Sequence, residues 1–179
     1  MEDEFRLIFD TIPEQFDRYR SRYCPALFAD LIALAGIGAH SSVLELGPGT
    51  GQATEPVLDT GCDYHAVELG ERLAAFLASK YGYRSNFSLI QDDFITHSFG
   101  DAAFDMVYSA ATIQWIPEEI AFRKTYAILK PGGTLAMLLT RSDYKSPNAR
   151  LYERIQRVYD AFFRPEKRYI GGFQYANAC

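Results

Sequence analysis

Val43-Leu44-Glu45-Leu46-Gly47-Pro48-Gly49-Thr50-Gly51-Gln52 reads as a short apolar strand that runs straight into a glycine-rich turn. A turn with glycine at alternate positions lets a ligand come close to the backbone, because no Cβ stands in the way. The helix start that follows offers unpaired N–H groups. The spacing departs from the dinucleotide fingerprint G-x-G-x-x-G: the third glycine comes one residue early, and Gln52 stands where that fingerprint has glycine. Glu45 is an acid near the end of a buried strand, where an unpaired charge is costly. It is expected either to meet a cationic ligand group, directly or through water, or to cap the helix that follows.

Working outward, the apolar pattern alternates between strand and helix. Upstream, residues 14–23 read as a polar helix with Phe16, Tyr19 and Tyr23 interleaved. Pro25 opens a second helix with Leu27, Phe28, Leu31, Ile32 and Leu34 at helical spacing, stopped by Gly36 and Gly38. After the first strand (42–46), residues 50–60 predict a helix, 63–69 a strand and 71–81 a helix with Leu73, Phe76 and Leu77 on one face. Further strands are predicted at 86–91 and 104–109. A helix over 117–129, entered by Pro117, ends before Pro131-Gly132-Gly133, and 133–140 reads as a fifth, continuously apolar strand. Ser146-Pro147 then caps a last helix with Leu151, Ile155, Val158 and Phe162 on one face. Such alternation predicts an α/β fold with a Rossmann-like parallel sheet and helices on both faces. In these sheets ligands bind beyond the carboxyl ends of the strands, at the switch point.

Two more strands end in acids. The second ends His65-Ala66-Val67-Glu68-Leu69, which puts Glu68 about 20 residues beyond the glycine turn, where a carboxylate can accept both hydroxyls of a ribose. The other reading of Glu68 is a solvated acid at a helix start. The third strand leads into Ile90-Gln91-Asp92-Asp93-Phe94.

Taken together, Glu45-Leu46-Gly47-Pro48-Gly49-Thr50-Gly51 resembles motif I of the class I S-adenosylmethionine-dependent methyltransferases. The resemblance implies S-adenosylmethionine as cofactor, its methionine part wrapped by Gly47, Pro48, Gly49 and Gly51 and held with the help of Glu45. It implies that Glu68, with Leu69, holds the ribose. It also implies an acid for the adenine amino group followed by a residue whose N–H meets the ring. Asp93-Phe94 fits that pair first and Asp92 second. The run Phe104-Asp105-Met106-Val107-Tyr108-Ser109, with Gln114-Trp115 before the next helix, is similar to the small-molecule branch of the family, including trans-aconitate methyltransferases. That likeness puts Ser109 and Ala110 near the sulfonium. Trp115 would roof the adenine, wall the substrate pocket, or anchor the helix. Residues 16–23 resemble the helical lid of such enzymes, often Tyr-Asp-x-x-Arg-Pro-x-Tyr, with Phe16 for the first Tyr and Ser21 for Pro. Tyr19 and Tyr23 are the substrate-pocket candidates there. The resemblance covers about residues 14–164.

Length and charge narrow the function classes. The chain has 179 residues, which suits one domain. It is read as a lid segment (1–38), a core (39–145) and a C-terminal helix and tail (146–179). A net charge of −5 with no Lys/Arg run argues against a grip on nucleic acid. Ser109-Ala110-Ala111-Thr112 is not the Asn/Asp-Pro-Pro-Tyr/Phe segment of enzymes that methylate bases. The three cysteines are scattered and lack metal-ligand spacing. Met-Glu-Asp-Glu is the reverse of a signal-peptide start, and no apolar run reaches the roughly 20 residues of a membrane span. A cytoplasmic protein with no metal and no membrane partner is expected. No histidine makes a convincing base: His40 precedes strand one, His65 lies inside strand two, and His97 lies on the return to strand four. The expected activity is methyl transfer to a small molecule, with the acceptor open. The alternatives are a non-catalytic methyltransferase-like binding module and, on fold alone, a nicotinamide-dependent oxidoreductase. A complete class I domain has seven strands and five are counted here. The C-terminal antiparallel strands are therefore expected to be lacking, which leaves strand five with an exposed edge.

Overall fold

A computed structural model describes residues 6–140 and 149–162. Helices α1 (Pro13–Tyr19) and α2 (Pro25–Ala35) lead into β1 (Ser42–Leu46). There follow α3 (Thr54–Leu58), β2 (Asp63–Glu68), α4 (Glu71–Tyr81), β3 (Phe87–Gln91), β4 (Phe104–Ala110), α5 (Glu118–Ile128), β5 (Leu129–Leu138) and α6 (Ala149–Phe162). Short 3-10 turns occupy Ile8–Thr11 and Ile113–Trp115. The five strands form one parallel sheet in the order β3-β2-β1-β4-β5. The chain winds outward from β1 to β3, then returns to start β4 on the other side of β1. The switch point therefore lies between β1 and β4, at the end of the strand that carries the glycine turn.

Side chains alternate across a strand, so the sheet has two cores. On one face Val43, Tyr64, Ala66, Met106 and Tyr108 pack with Phe28 of α2, Val57 and Leu58 of α3, and Leu77 and Tyr81 of α4. On the other, Leu44, Leu46, Val67, Phe104 and Val107 pack with Ile113, Ile116, and Ala121 and Ile128 of α5. Burial of both faces is why β1, β2 and β4 read as apolar runs.

The structure moves several predicted boundaries. The helix predicted over 50–60 is only Thr54–Leu58. Gly51 sits at φ +85°, outside helical space, so the turn continues to Ala53, and Pro56 is tolerated because it falls in the first helical turn. Residues 14–23 are not one helix: α1 ends at Tyr19, where Arg20 turns extended. Pro117 is the N-cap of α5 and not its first helical residue. The largest correction concerns Pro131-Gly132-Gly133. Instead of a turn before the fifth strand, these residues lie inside β5, which begins directly after α5. Phe104 pairs with Leu129 and Met106 with Thr134, so residues 130–133 bulge opposite Asp105. Asp105 explains the bulge: its Oδ2 accepts from Lys130 Nζ at 2.7 Å and from the Ser42 N–H at 2.7 Å. One carboxylate thus ties the starts of β1, β4 and β5. The predicted helix start at Ser146-Pro147 lies outside the described residues. On α6, Leu151, Ile155 and Val158 are exposed, and β5 is the edge of the described sheet.

Candidate functional site

A cleft opens beyond the carboxyl ends of β1, β2 and β4. Its open space, mouth included, is about 950 Å³. Its floor is the glycine turn, Gly47, Pro48 and Gly49. Gly47 has φ +59°, and a Cβ there would run into the Thr112 side chain. Thr112 Oγ1 in turn donates to the Gly47 carbonyl at 2.9 Å, which binds the turn to the loop after β4.

Glu68, from the end of β2, is 6% exposed and lines the cleft. Its Oε2 accepts the Gly49 N–H at 2.9 Å and its Oε1 the Gly70 N–H at 3.0 Å. Burial raises its pKa, against the lowering pull of those two backbone donors. The carboxylate is thus fixed by the turn it faces, with lone pairs left for a ligand's hydroxyls.

The acids after β3 divide their work. Asp92 lines the cleft, as does Phe94, while Asp93 does not. Asp92 Oδ1 accepts from the Asp93 N–H at 2.7 Å, and Oδ2 pairs with His97 Nδ1 at 2.8 Å. The His97 hydrogen bond is the first cause of its lowered pKa. Asp93 is turned the other way, into a two-pronged ion pair with Arg6 at 2.7 Å and 2.7 Å. That guanidinium holds its carboxyl below the usual range. Of the two acids, Asp92 faces the cleft and Asp93 fastens the N-terminal segment.

Glu45 does not line the cleft. It is 0% exposed and lies below the turn on the α2–α4 face of the sheet. Its Oε2 accepts from Thr54 Oγ1 at 2.6 Å and from the Tyr64 hydroxyl, which is also joined to the Tyr108 hydroxyl. Its Oε1 has no partner. Burial raises its pKa to about 7. Tyr108 donates to the Ala53 carbonyl at 3.2 Å, so the cluster props the far end of the turn. Gly51 is likewise structural: a Cβ would come within 2.6 Å of Tyr81. Ser109 is buried, with its Oγ accepting the Ile113 N–H at 2.9 Å, whereas Ala110 lines the cleft.

The roof comes from the N-terminal segment. Arg6, Phe9, Phe16, Arg20 and Tyr23 all line the cleft, as does Trp115. Of the two tyrosine candidates, Tyr19 is 75% exposed and outside it. It ends α1, whereas Tyr23 lies in the extended stretch that turns back over the sheet. Residues that sequence reading missed are Arg6, Phe9, Arg20 and Gln114. A second recess, lined by Arg20, Ser21, Tyr23, Ala111, Gln114, Leu139 and Thr140, adjoins the first through Arg20, Tyr23 and Ala111. Ala111 holds φ +61°, uncommon for a residue with a Cβ and a form of strain that collects at functional sites. Gln114 Nε2 donates to the Ala111 carbonyl at 2.8 Å, and its Oε1 is buried without a partner. Among the described residues no group of His, Cys, Asp and Glu is arranged to hold a metal, and no helix is long and apolar enough to cross a membrane.

Comparison with known proteins identifies the family. A family profile described as a methyltransferase domain matches residues 44–137. A malonyl-[acyl-carrier protein] O-methyltransferase of Marinomonas is 27% identical over 70% of this chain and 47% of its own length. A trans-aconitate 2-methyltransferase of Deinococcus radiodurans is 31% identical over the same shares of the two chains, 70% and 47%. The chain thus spans about half the length of these curated relatives. In fold it is similar to the Haemonchus contortus phosphoethanolamine N-methyltransferase 2, solved with phosphomonomethylethanolamine and S-adenosylhomocysteine. That likeness has a TM-score of 0.64 and 18% identity, over 89% of this chain and 43% of that one.

Proposed function

The chain belongs to the methyltransferase domain family, and on that premise we propose that its cleft binds S-adenosylmethionine and presents the methyl group to a small molecule in the adjoining recess. The observation that carries this reading is Glu68: a buried carboxylate, locked by the N–H groups of Gly49 and Gly70, facing into the cleft beside the glycine turn. It is the acceptor for the two ribose hydroxyls, with Leu69 beside it. Asp92 receives the adenine amino group and Phe94 meets the ring. Asp93 acts one step away, by holding Arg6. Gly47, Pro48 and Gly49 run along the methionine part, over the support that Gly51 and Glu45 give the turn from below. Arg20 pairs with no carboxylate among the described residues and lines the cleft, so we assign it to the methionine carboxylate.

The cofactor supplies a methyl group already activated on a sulfonium. The protein must then align donor and acceptor and exclude water. Ala110, held by buried Ser109, and Ala111 are small and leave room at the junction of cleft and recess. Tyr23 and Trp115 wall it, and Phe9 and Phe16 close the roof. Gln114 Oε1 offers the acceptor molecule a buried hydrogen-bond acceptor. Among the described residues no histidine lines either cavity, which suits an acceptor that needs no base, such as a carboxylate. The trans-aconitate and malonyl relatives are consistent with that choice. The same reading treats residues 1–179 as one domain, with 1–38 as lid, 39–145 as core and 146–179 as a C-terminal helix and tail. It places the protein in the cytoplasm, where free thiols such as Cys24 and Cys62 stay reduced.

Calorimetry against S-adenosylmethionine, S-adenosylhomocysteine and NADH tests the binding claim, and tritiated-methyl transfer to a panel of small acids, amines and phenols tests turnover. Binding of the two adenosyl ligands and not of NADH is expected. Glu68→Ala should weaken S-adenosylhomocysteine about 10- to 100-fold, the size of a lost hydrogen bond to a charged group. Unchanged affinity would remove Glu68 from the ribose. Binding without transfer to any member of the panel would favour the non-catalytic module.

A further inference from the structure

Asp92 is the less sheltered of the two acids that face the cleft. Its side chain is 47% exposed, and a carboxylate so open to water would normally sample several rotamers. Here both oxygens are engaged. Oδ1 is held by the N–H of its neighbour and Oδ2 by the imidazole of His97. A carboxylate only accepts, so the proton of that contact sits on Nδ1.

The imidazole is itself held in place. Its ring packs edge-on to Phe99 with centroids 4.5 Å apart. The His97 N–H donates to the Asp93 carbonyl at 2.8 Å. The His97 carbonyl accepts from Lys124 Nζ, which also donates to the Ile95 carbonyl at 3.1 Å. The loop from 92 to 97 is therefore closed by His97 back onto Asp92 and clamped to α5 through the Ile95 and His97 carbonyls. The ring thus backs onto the apolar core through Phe99, while among the described contacts its nitrogens are used for Asp92 alone.

We propose that His97 is a positioning residue: it presents the Asp92 carboxylate to the exocyclic amine of the purine and so sets the preference of the site for an adenine nucleoside. The inference rests on the assignment of the cleft to an adenosyl ligand. The physical gain is preorganisation. An acceptor fixed before binding loses no rotamer freedom when the ligand arrives, and that gain appears only for ligands that carry the amine. A role in loop stability alone would shift all ligands equally.

The test measures affinities of two ligands by calorimetry: S-adenosylhomocysteine, and its purine-riboside analogue with hydrogen in place of the 6-amino group. Three proteins are compared: the natural chain, His97→Phe, which keeps the ring against Phe99 but removes the donor, and His97→Asn, whose side-chain NH₂ occupies the place of Nδ1–H. The natural chain should prefer the amine-bearing ligand at least about 10-fold, as for a hydrogen bond to a charged group. His97→Phe should cut that preference to about 3-fold or less, and His97→Asn should restore most of it. If His97→Phe weakens both ligands by the same factor, or neither, His97 does not position Asp92. If the natural chain binds both ligands equally, Asp92 does not meet the amine and the inference also falls. Failure of the natural chain to bind S-adenosylhomocysteine at all would overturn the adenosyl assignment itself.

Discussion

Among the described residues no cation pairs with Glu45. Hydroxyls of Thr54 and Tyr64 reach one oxygen, Tyr108 stands behind Tyr64, and the other oxygen is bare. Burial raises its pKa from the ordinary 4.5 to about 7, with the nearby Glu68 pushing the same way. Between those two values the folded protein keeps a proton that the unfolded chain has released. Glu45 therefore favours the folded state most fully below about pH 4.5, and that contribution is lost as pH rises through about 7. At about 1.4 kcal/mol per unit, the loss is on the order of 3 kcal/mol. Urea unfolding of the natural chain should show stability falling between pH 5 and pH 8, and Glu45→Gln should flatten much of that fall. Parallel profiles for the two proteins would show that Glu45 does not titrate in this range. The sequence disclosed the acid and its place before the turn. It could not disclose the Tyr64 and Tyr108 hydroxyls, which arrive from two other strands and join Glu45 beneath the turn. The different surroundings of Asp92 and Asp93 were hidden for a similar reason. Adjacent loop acids look alike until Arg6, 87 residues away, claims one of them.

At the level of elements, α4 shows how the N-terminal segment is attached. Its N-cap is Gly70, which has no side chain to receive the first free N–H groups. Asp10 does so from the other end of the chain: its Oδ1 accepts the Leu73 N–H at 2.9 Å. A Cβ on residue 70 would collide with that carboxylate, so the glycine makes the docking possible. Arg72 adds a bond to the Thr11 carbonyl at 2.7 Å. Because the same segment carries Phe9 and Phe16 over the cleft, the cap of α4 is also the hinge pin of the roof. Asp10→Ala should cost about 1 kcal/mol in unfolding free energy, as for other lost caps, and should also speed release of S-adenosylhomocysteine in stopped-flow displacement. A stability loss with an unchanged release rate would separate the cap from the roof. The span of α4 was legible to the residue, since its apolar spacing and its end at Tyr81 are local signals. The roof was legible as a polar aromatic stretch that resembles a lid, but its attachment was not. Its fastening depends on contacts 61 and 63 residues apart, which no window of sequence contains. Pro131-Gly132-Gly133 misled in the opposite sense: a strong turn signal was overridden by Asp105, which anchors a bulge through Lys130.

On the scale of the whole molecule, the described sheet is covered on both faces and ends at β3 on one side and β5 on the other. The order β3-β2-β1-β4-β5 leaves β5 with one partner among the described strands, and a strand with an unpaired side is a template for association. The apolar stripe of α6 adds to this. Leu151, Ile155 and Val158 recur at helical spacing and are 53%, 43% and 58% exposed, a pattern that marks a face made to be covered. The polypeptide described here should therefore self-associate as its concentration rises. Sedimentation velocity is expected to show a weight-average coefficient that climbs over the micromolar range. Ile155→Lys should lower that climb at least several-fold in association constant, because a charge set in an apolar contact is costly. It should leave S-adenosylhomocysteine affinity unchanged, because the cleft lies at the ends of β1, β2 and β4 and takes nothing from α6. A single species at all concentrations would mean that the stripe and the edge are protected as they stand. Association that persists undiminished in Ile155→Lys would move the contact from α6 to the edge of β5.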